Sequence, residues 1–400
     1  MKAKALLTLG LLTVGAPLAA QPIVVADSGD SAWVLAASLF AMLALLPGLA
    51  LFYGRGRTGP TGFALFASIA IATLLFVGVG YSLIFSEGSA LIGGLGSAFL
   101  RDIGDVLAGS TIPESAFVLF ELVLALFAIA ILAASTAERA RLGWLLPFSA
   151  LWLILVYVPA ARWVWSGWLG DLGAIDYAGG IVIQLTAGIA ALVIGLLLRA
   201  DHARDVQHDS RIAVAGAALV WIGWLGVIGG SAFGGGDDAA TAVLNAQIAA
   251  SASVLIGMAI EGLRTRRVSV YATANNALAG LAAISAGATL VGPGGAMVIG
   301  AIAAVVAWGA SVAIERLRIG SAAAAFTVHG APAAVGAVVF PVFMTAALGG
   351  ADFAEGSSMA TLLAAQAVAV LTVALWSAVL TVICALMVSV VIPMKAPPER

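Results

Sequence analysis

Three polar side chains stand inside long apolar runs of this 400-residue chain: Glu121 in FVLFELVLALF, Gln184 in YAGGIVIQLTAG and His329 in FTVHGAPAAVGAV. Groups of this kind are costly to bury unless they have partners, so each is a candidate for handling a polar solute. A neutral imidazole and an amide each offer a donor and an acceptor without carrying charge. His329 is the only histidine in an apolar run, since His202 and His208 fall in the charged stretch RADHARDVQHDSR. Each residue also has a plainer reading. His329 can be held by a helix carbonyl, Gln184 can join two helices, and Glu121 can be a paired or protonated buried acid. Asp176, just before Gly179 and Gly180, is placed to accept backbone N–H bonds at a helix start, or to touch a cation directly. Trp163, Trp165 and Trp168 in ARWVWSGWLGDL suit either an interfacial aromatic belt or a cation–π platform. Asn245, Gln247, Asn275 and Asn276 read mostly as helix–helix hydrogen bonds.

The elements that carry these residues are membrane helices. The chain is 62% hydrophobic and 10% charged, with a mean hydropathy of +1.12. That excludes a soluble enzyme, and period-two alternation, the mark of a β-barrel, is absent. A net charge of −2 gives no reason to expect nucleic acid. Cys384 is the one cysteine and reads as a small apolar residue. No metal-ligand cluster is visible, and TLVGPGG is a turn rather than a phosphate loop, because no strand precedes it and no lysine follows. Residues 1–20 have Lys2, Lys4, an apolar core and small residues after Pro17, the pattern of a signal peptide; an uncleaved extra anchor is the alternative.

Eleven spans are expected after it: 31–53, 61–85, 113–136, 142–160, 178–199, 211–230, 239–263, 268–290, 294–315, 322–347 and 359–392. With the mature N-terminus outside, Arg55, Arg139, Arg141, Arg264, Arg266, Arg316 and the tail residues Lys395 and Arg400 fall inside. Only Arg101 and Arg162 fall in outer connections. This satisfies the positive-inside rule. The expected fold is an all-α membrane protein of eleven transmembrane helices, N-terminus outside and C-terminus inside. Its membrane domain covers 31–392 and a short cytoplasmic tail covers 393–400.

Spans 1–5 and 6–10 then have opposite topology, an inverted 5+5 repeat plus a final helix. Gln184 lies about eight residues into span 5 from outside, and His329 about eight residues into span 10 from inside. At 1.5 Å per residue each is about 12 Å deep, so in a core of about 30 Å they meet near the midplane. Glu121 lies at a similar depth on span 3.

The chain resembles the ammonium transporter family (Amt/Mep/Rh). The likeness rests on GLALFYGRG, FELVLALFAIAILAASTAERARL, YVPAARWVWSGWLGDLGAIDYAGGIVIQLTAG, GWLGVIGGSAFGG, NNALAGLAAI, VGPGGAMVIGAIAAVV and FTVHGAPAAVGAV, in family order over nearly the whole mature chain. The resemblance implies a homotrimer in the inner (plasma) membrane, with a narrow pore in each protomer for ammonium or ammonia, no enzyme activity and no cofactor. By position, Phe120, Trp165 and Ser231 match the family's outer recruitment cage, Asp176 its supporting acid, and His329 the second of its two stacked pore histidines.

Three departures stand out. Gln184 replaces the first pore histidine. Leu124 and Val227 replace the two phenylalanines that close the pore. Glu121 occupies a position that is neutral in the family. An amide cannot titrate, so Gln184 is expected to interrupt a histidine–histidine proton relay while still bonding ammonia. The tail PMKAPPER is short, which makes control by a PII-type regulator doubtful. The expected function is ammonium/ammonia transport with altered proton handling. The alternatives are a homologue conducting another small solute and a non-transporting sensor on the same fold.

Overall fold

The apolar runs form helices for the reason that membranes demand them: with no water in the hydrocarbon, each segment must pair its own backbone groups. A computed structural model describes residues 25–54, 58–198, 210–319 and 321–395. Its principal helices are α1 (Ser28–Tyr53), α2 (Gly59–Phe85), α3 (Glu114–Thr136), α4 (Leu142–Asp171), α5 (Gly180–Leu198), α6 (Arg211–Gly230), α7 (Asp237–Thr265), α8 (Val270–Ile284), α9 (Pro293–Arg316), α10 (Phe326–Phe343) and α11 (Met359–Ser389). Ten of them are long and apolar enough to cross a membrane. The exception is α8, with 15 residues, or about 22 Å of helix. The span expected over 268–290 is helical only to Ile284, and the chain continues through turns to Leu290. No β-strand occurs among the described residues, only two isolated bridges. The signal-peptide reading of 1–20 and the tail beyond Lys395 lie outside the described residues.

α3 sits at the centre. Its residues are apolar almost all round, and nearly all of them are buried, as expected of a helix surrounded by others. α1 lies on α6, where Gly223 brings the backbones so close that a Cβ there would be 2.5 Å from the Ala44 nitrogen. α5 lies on α10 in the same manner: a Cβ on Gly188 would be 2.4 Å from both the nitrogen and the Cα of Gly330. Small residues permit this approach, and dispersion between the closely packed backbones holds it.

Several helices contain one widened π turn. These are Ala44–Gly48 in α1, Phe76–Gly80 in α2, Leu153–Tyr157 in α4, Gly180–Leu185 in α5 and Phe326–Gly330 in α10. Proline explains some of them. Pro159 and Pro332 have no N–H to donate, so the carbonyls four residues back are released from the ladder. One of those carbonyls, Leu155 O, accepts instead from Trp376 Nε1 of α11 at 3.0 Å.

Two expected boundaries are corrected. α4 does not end at 160 but runs on as helix to Trp165. The tryptophan-rich stretch is therefore not an outer loop: Trp163 and Trp165 stand on α4, and Trp168 opens a short helix. Arg162, expected in an outer connection, stands on this helix. Its guanidinium is in fact buried and satisfied by carbonyls, with Nη1 donating to Ile84 O at 2.7 Å and Ser86 O at 3.0 Å, and Nη2 to Ser89 O at 2.9 Å. The tenth span is also shorter than 322–347, because regular helix gives way to a 3₁₀ turn at Phe340–Phe343.

Candidate conduction site

α5 begins in an unusual way. Gly179 adopts a left-handed conformation (φ 76°), and a Cβ there would lie 2.2 Å from Ile183 Cδ1, so only glycine fits. The chain then enters a π turn in which the Gln184 N–H donates to Gly179 O, five residues back, at 3.0 Å. Helix starts leave orphan N–H groups. Asp176 Oδ2 accepts two of them, from Ile181 at 3.0 Å and Val182 at 2.8 Å. Burial pushes the Asp176 carboxyl up to about 6, and the backbone N–H bonds from Val182, Ile181 and Gly180 pull against that rise.

The π turn directs Gln184 toward α10, where a second π turn carries His329. Both side chains are fully buried. His329 Nδ1 lies 2.8 Å from Gln184 Oε1. An amide oxygen only accepts, so the ring nitrogen donates. Gln184 Nε2 and His329 Nε2 have no hydrogen-bond partner among the described residues. The pair therefore offers one free donor, the amide NH₂, and one free acceptor, the imidazole lone pair. Turning the amide round and moving the ring proton to Nε2 exchanges these roles but keeps one of each. π turns recur at functional positions because they redirect side chains in this way.

His329 is held flat by Trp224 of α6, whose ring stacks on it at 5.4 Å and 14°. Trp224 is fixed in turn by Nε1 donating to Ser285 Oγ at 3.1 Å and by the edge of Phe127 at 5.2 Å. Tyr53 of α1 lies 6.2 Å from the His329 ring. Trp224 was not among the residues singled out from sequence, although its motif, GWLGVIGG, was.

Toward the N-terminal end of α3, Phe120 is fully buried and meets Phe233 edge to face at 5.7 Å. A Cβ on Gly230 would be 2.3 Å from Phe120 Cε2, which puts the residue before Ser231 directly against that ring. Ser231 Oγ donates to Val227 O at 2.9 Å. Trp165 Nε1 donates to Asp176 O at 3.0 Å, so one residue anchors both the indole and the start of α5. Leu124 and Val227 are buried. Glu121 is 5% exposed. Phe233 had no signal of its own beyond lying two residues after Ser231. Among the described residues, no group of histidine, cysteine, aspartate or glutamate is arranged to hold a metal ion.

The ten long apolar helices define a multi-pass membrane protein, with a buried polar pair between two of them. The profile of the Ammonium Transporter Family matches residues 32–400, and the chain belongs to that family. It is 35% identical over 386 residues to an ammonium transporter of Bacillus subtilis, covering 93% of this chain and 95% of that one. It is 34% identical over 370 residues to the ammonium transporter Amt1 of Archaeoglobus fulgidus, covering 90% and 92%. Among solved structures, Mep2 of Candida albicans superposes with a TM-score of 0.85 at 27% identity, covering 93% of this chain and 87% of that one. A structure described as a Sensor Amt Protein gives 0.84 at 26%, covering 93% and 95%.

Proposed function

We propose that this protein moves ammonium across the plasma membrane by passing neutral ammonia through a narrow pore between α5 and α10. The observation that carries this reading is the Gln184–His329 pair, with its one free donor and one free acceptor in a fully buried setting. Ammonia both donates and accepts, so it fits such a pair. A bare ammonium ion there would be a buried charge with no counter-charge, which costs several kcal/mol or more. The cation is recruited outside by Phe120, Trp165 and Ser231, with Asp176 supporting the indole. It gives up its proton before passing Leu124 and Val227. Gln184 cannot take that proton, and Glu121, one residue past Phe120, is the group placed to handle it.

The wider architecture belongs to the same proposal. Residues 285–290 complete the eighth crossing, giving eleven, with the N-terminus outside after removal of 1–20 and 393–400 inside. The contacts of α1 with α6 and of α5 with α10 are those of an inverted repeat, in which elements of equal rank meet across a two-fold axis. A homotrimer is supported by α7, where Gln247 is exposed near mid-helix beside a groove of about 570 Å³ lined also by Ser251, Leu255, Met297 and Val298. Gln247 is bonded within the chain, its Oε1 accepting from Trp221 Nε1 at 3.2 Å, so it is the groove itself that suits packing against a neighbouring protomer.

The test is uptake and current in liposomes, together with growth rescue of cells lacking their own ammonium uptake. Absence of uptake with protein present in the membrane refutes the proposal. A second reading, conduction of another small solute, is favoured by Glu121 and by the loss of aromatic bulk at Leu124 and Val227. A panel of methylammonium, water and other small solutes separates the two.

A further inference from the structure

The last helix falls outside the five-plus-five scheme, yet it carries a fully buried amide, Gln366. This side chain is bonded to two different elements. Gln366 Oε1 accepts from the Ile175 N–H at 2.8 Å, and Gln366 Nε2 donates to Ile175 O at 2.9 Å. The same nitrogen donates to Ala337 O of α10 at 3.0 Å. The amide thus closes a two-bond ring with one residue of the irregular segment before α5, much as a neighbouring strand would. Its remaining N–H reaches the helix that carries His329.

Ile175 is the residue before Asp176. Asp176 uses its carbonyl to hold Trp165 and its carboxylate to cap α5. An irregular segment has no ladder of its own to set its dihedrals. The segment is fixed at one place by Tyr177 N–H donating to Ala286 O at 3.1 Å and Ala178 N–H to Ser285 O at 2.9 Å. Gln366 fixes the other side of Asp176. Lower down α11, Ser377 Oγ donates to Thr186 O of α5 at 2.8 Å, two residues after Gln184. α11 therefore sets the placement of α5 at two heights.

We infer that Gln366 is a positioning residue for cation recruitment: by clamping both backbone groups of Ile175 it sets the direction of the Asp176 carbonyl and, through it, the Trp165 ring. This rests on the proposed ammonium transport and on Trp165 as part of the outer cage. It predicts that disturbing Gln366 changes the concentration at which transport half-saturates more than it changes the maximal rate.

The experiment compares Gln366→Asn and Gln366→Glu with wild type in liposome uptake over a range of ammonium concentrations, with membrane content and melting temperature measured alongside. Asparagine keeps the amide but is shorter by one carbon–carbon bond, about 1.5 Å, and cannot keep bonds that start at 2.8–2.9 Å. Its half-saturation concentration should rise about tenfold, equivalent to 1.4 kcal/mol, with the maximal rate within about twofold. A neutral glutamic acid has one donor and one acceptor, enough for both groups of Ile175, and should keep the half-saturation of wild type. An unchanged half-saturation in Gln366→Asn overturns the inference, as does a fall in maximal rate alone. If Gln366→Asn fails to reach the membrane, Gln366→Leu, which keeps the side-chain volume and removes both bonds to Ile175, decides: a raised half-saturation supports the clamp, and the wild-type value overturns it. If wild type itself moves no ammonium, it is the transport reading that fails.

Discussion

Replacing Gln184 by leucine tests the pore assignment most directly. The change keeps the volume and apolar packing of the side chain and removes both polar atoms. The 2.8 Å bond to His329 Nδ1 disappears, and so does the free amide NH₂. The remaining ring nitrogens face different directions, so a single solute at the midplane keeps one contact where it had two. A hydrogen bond of this kind contributes about 1 kcal/mol net, which corresponds to a roughly fivefold fall in flux. The stranded Nδ1–H adds a separate cost of about 1–3 kcal/mol to the folded state, seen as a lower melting temperature. Initial rates of ammonium uptake in liposomes, normalised to protein content, measure the first effect, and thermal unfolding in detergent measures the second. A lower melting temperature with unchanged flux would refute the reasoning. It would show that the amide braces two helices and that no solute touches it.

Further outcomes follow from the same geometry. Gln184→His restores a titratable ring beside His329, so electrical current per ammonium taken up should rise above wild type; an equal ratio would show that position 184 is not on a proton route. Asp176 titrates at about 6 because burial favours its neutral form. The folded state therefore holds its proton more tightly than the unfolded chain, and this contribution to stability is lost as pH climbs from the ordinary carboxylate value toward 6. Above that pH the carboxylate is ionised and favours a cation at the mouth, so half-saturation for ammonium should improve through pH 6, a step that Asp176→Asn should abolish. Gly188→Val places side-chain carbon where the Gly330 backbone already stands and should eliminate transport; Gly309→Ala, with nothing within 4 Å, should be neutral or stabilising by about 0.5–1 kcal/mol. Trp376→Phe leaves Leu155 O unpaired and should lower the melting temperature by the equivalent of about 1–3 kcal/mol, with half-saturation unchanged.

The parts of the fold most legible in the sequence are those governed by length and depth. Apolar runs locate the long helices because a bilayer requires about 20 apolar residues per crossing. Depth arithmetic brings Gln184 and His329 to one height, and the structure places them in hydrogen-bond contact. What is hard to read is rotation about each helix axis. These helices are apolar on every side, so no polar face shows which residues point inward, and a π turn shifts the phase further along. Trp224 and Phe233 escaped notice for that reason: their partners, His329 and Phe120, lie on other helices. Gln366 was missed because one amide in a 31-residue apolar helix says nothing of which backbone it will meet. The end of α4 is hard to place because Arg162 is buried only by virtue of carbonyls at the end of α2 and just after it, Ile84 O and Ser86 O, which its own segment does not reveal.

The amide–imidazole pair has no built-in direction. Rotating the amide and shifting the ring proton yields the same inventory with the roles exchanged, so in the proposed pore a solute arriving from either face would find an equivalent station. The centre of such a conduit cannot rectify. In the proposed pore, net direction is therefore left to the gradients of ammonium and protons on the two sides, and the Gln184–His329 station serves both directions alike.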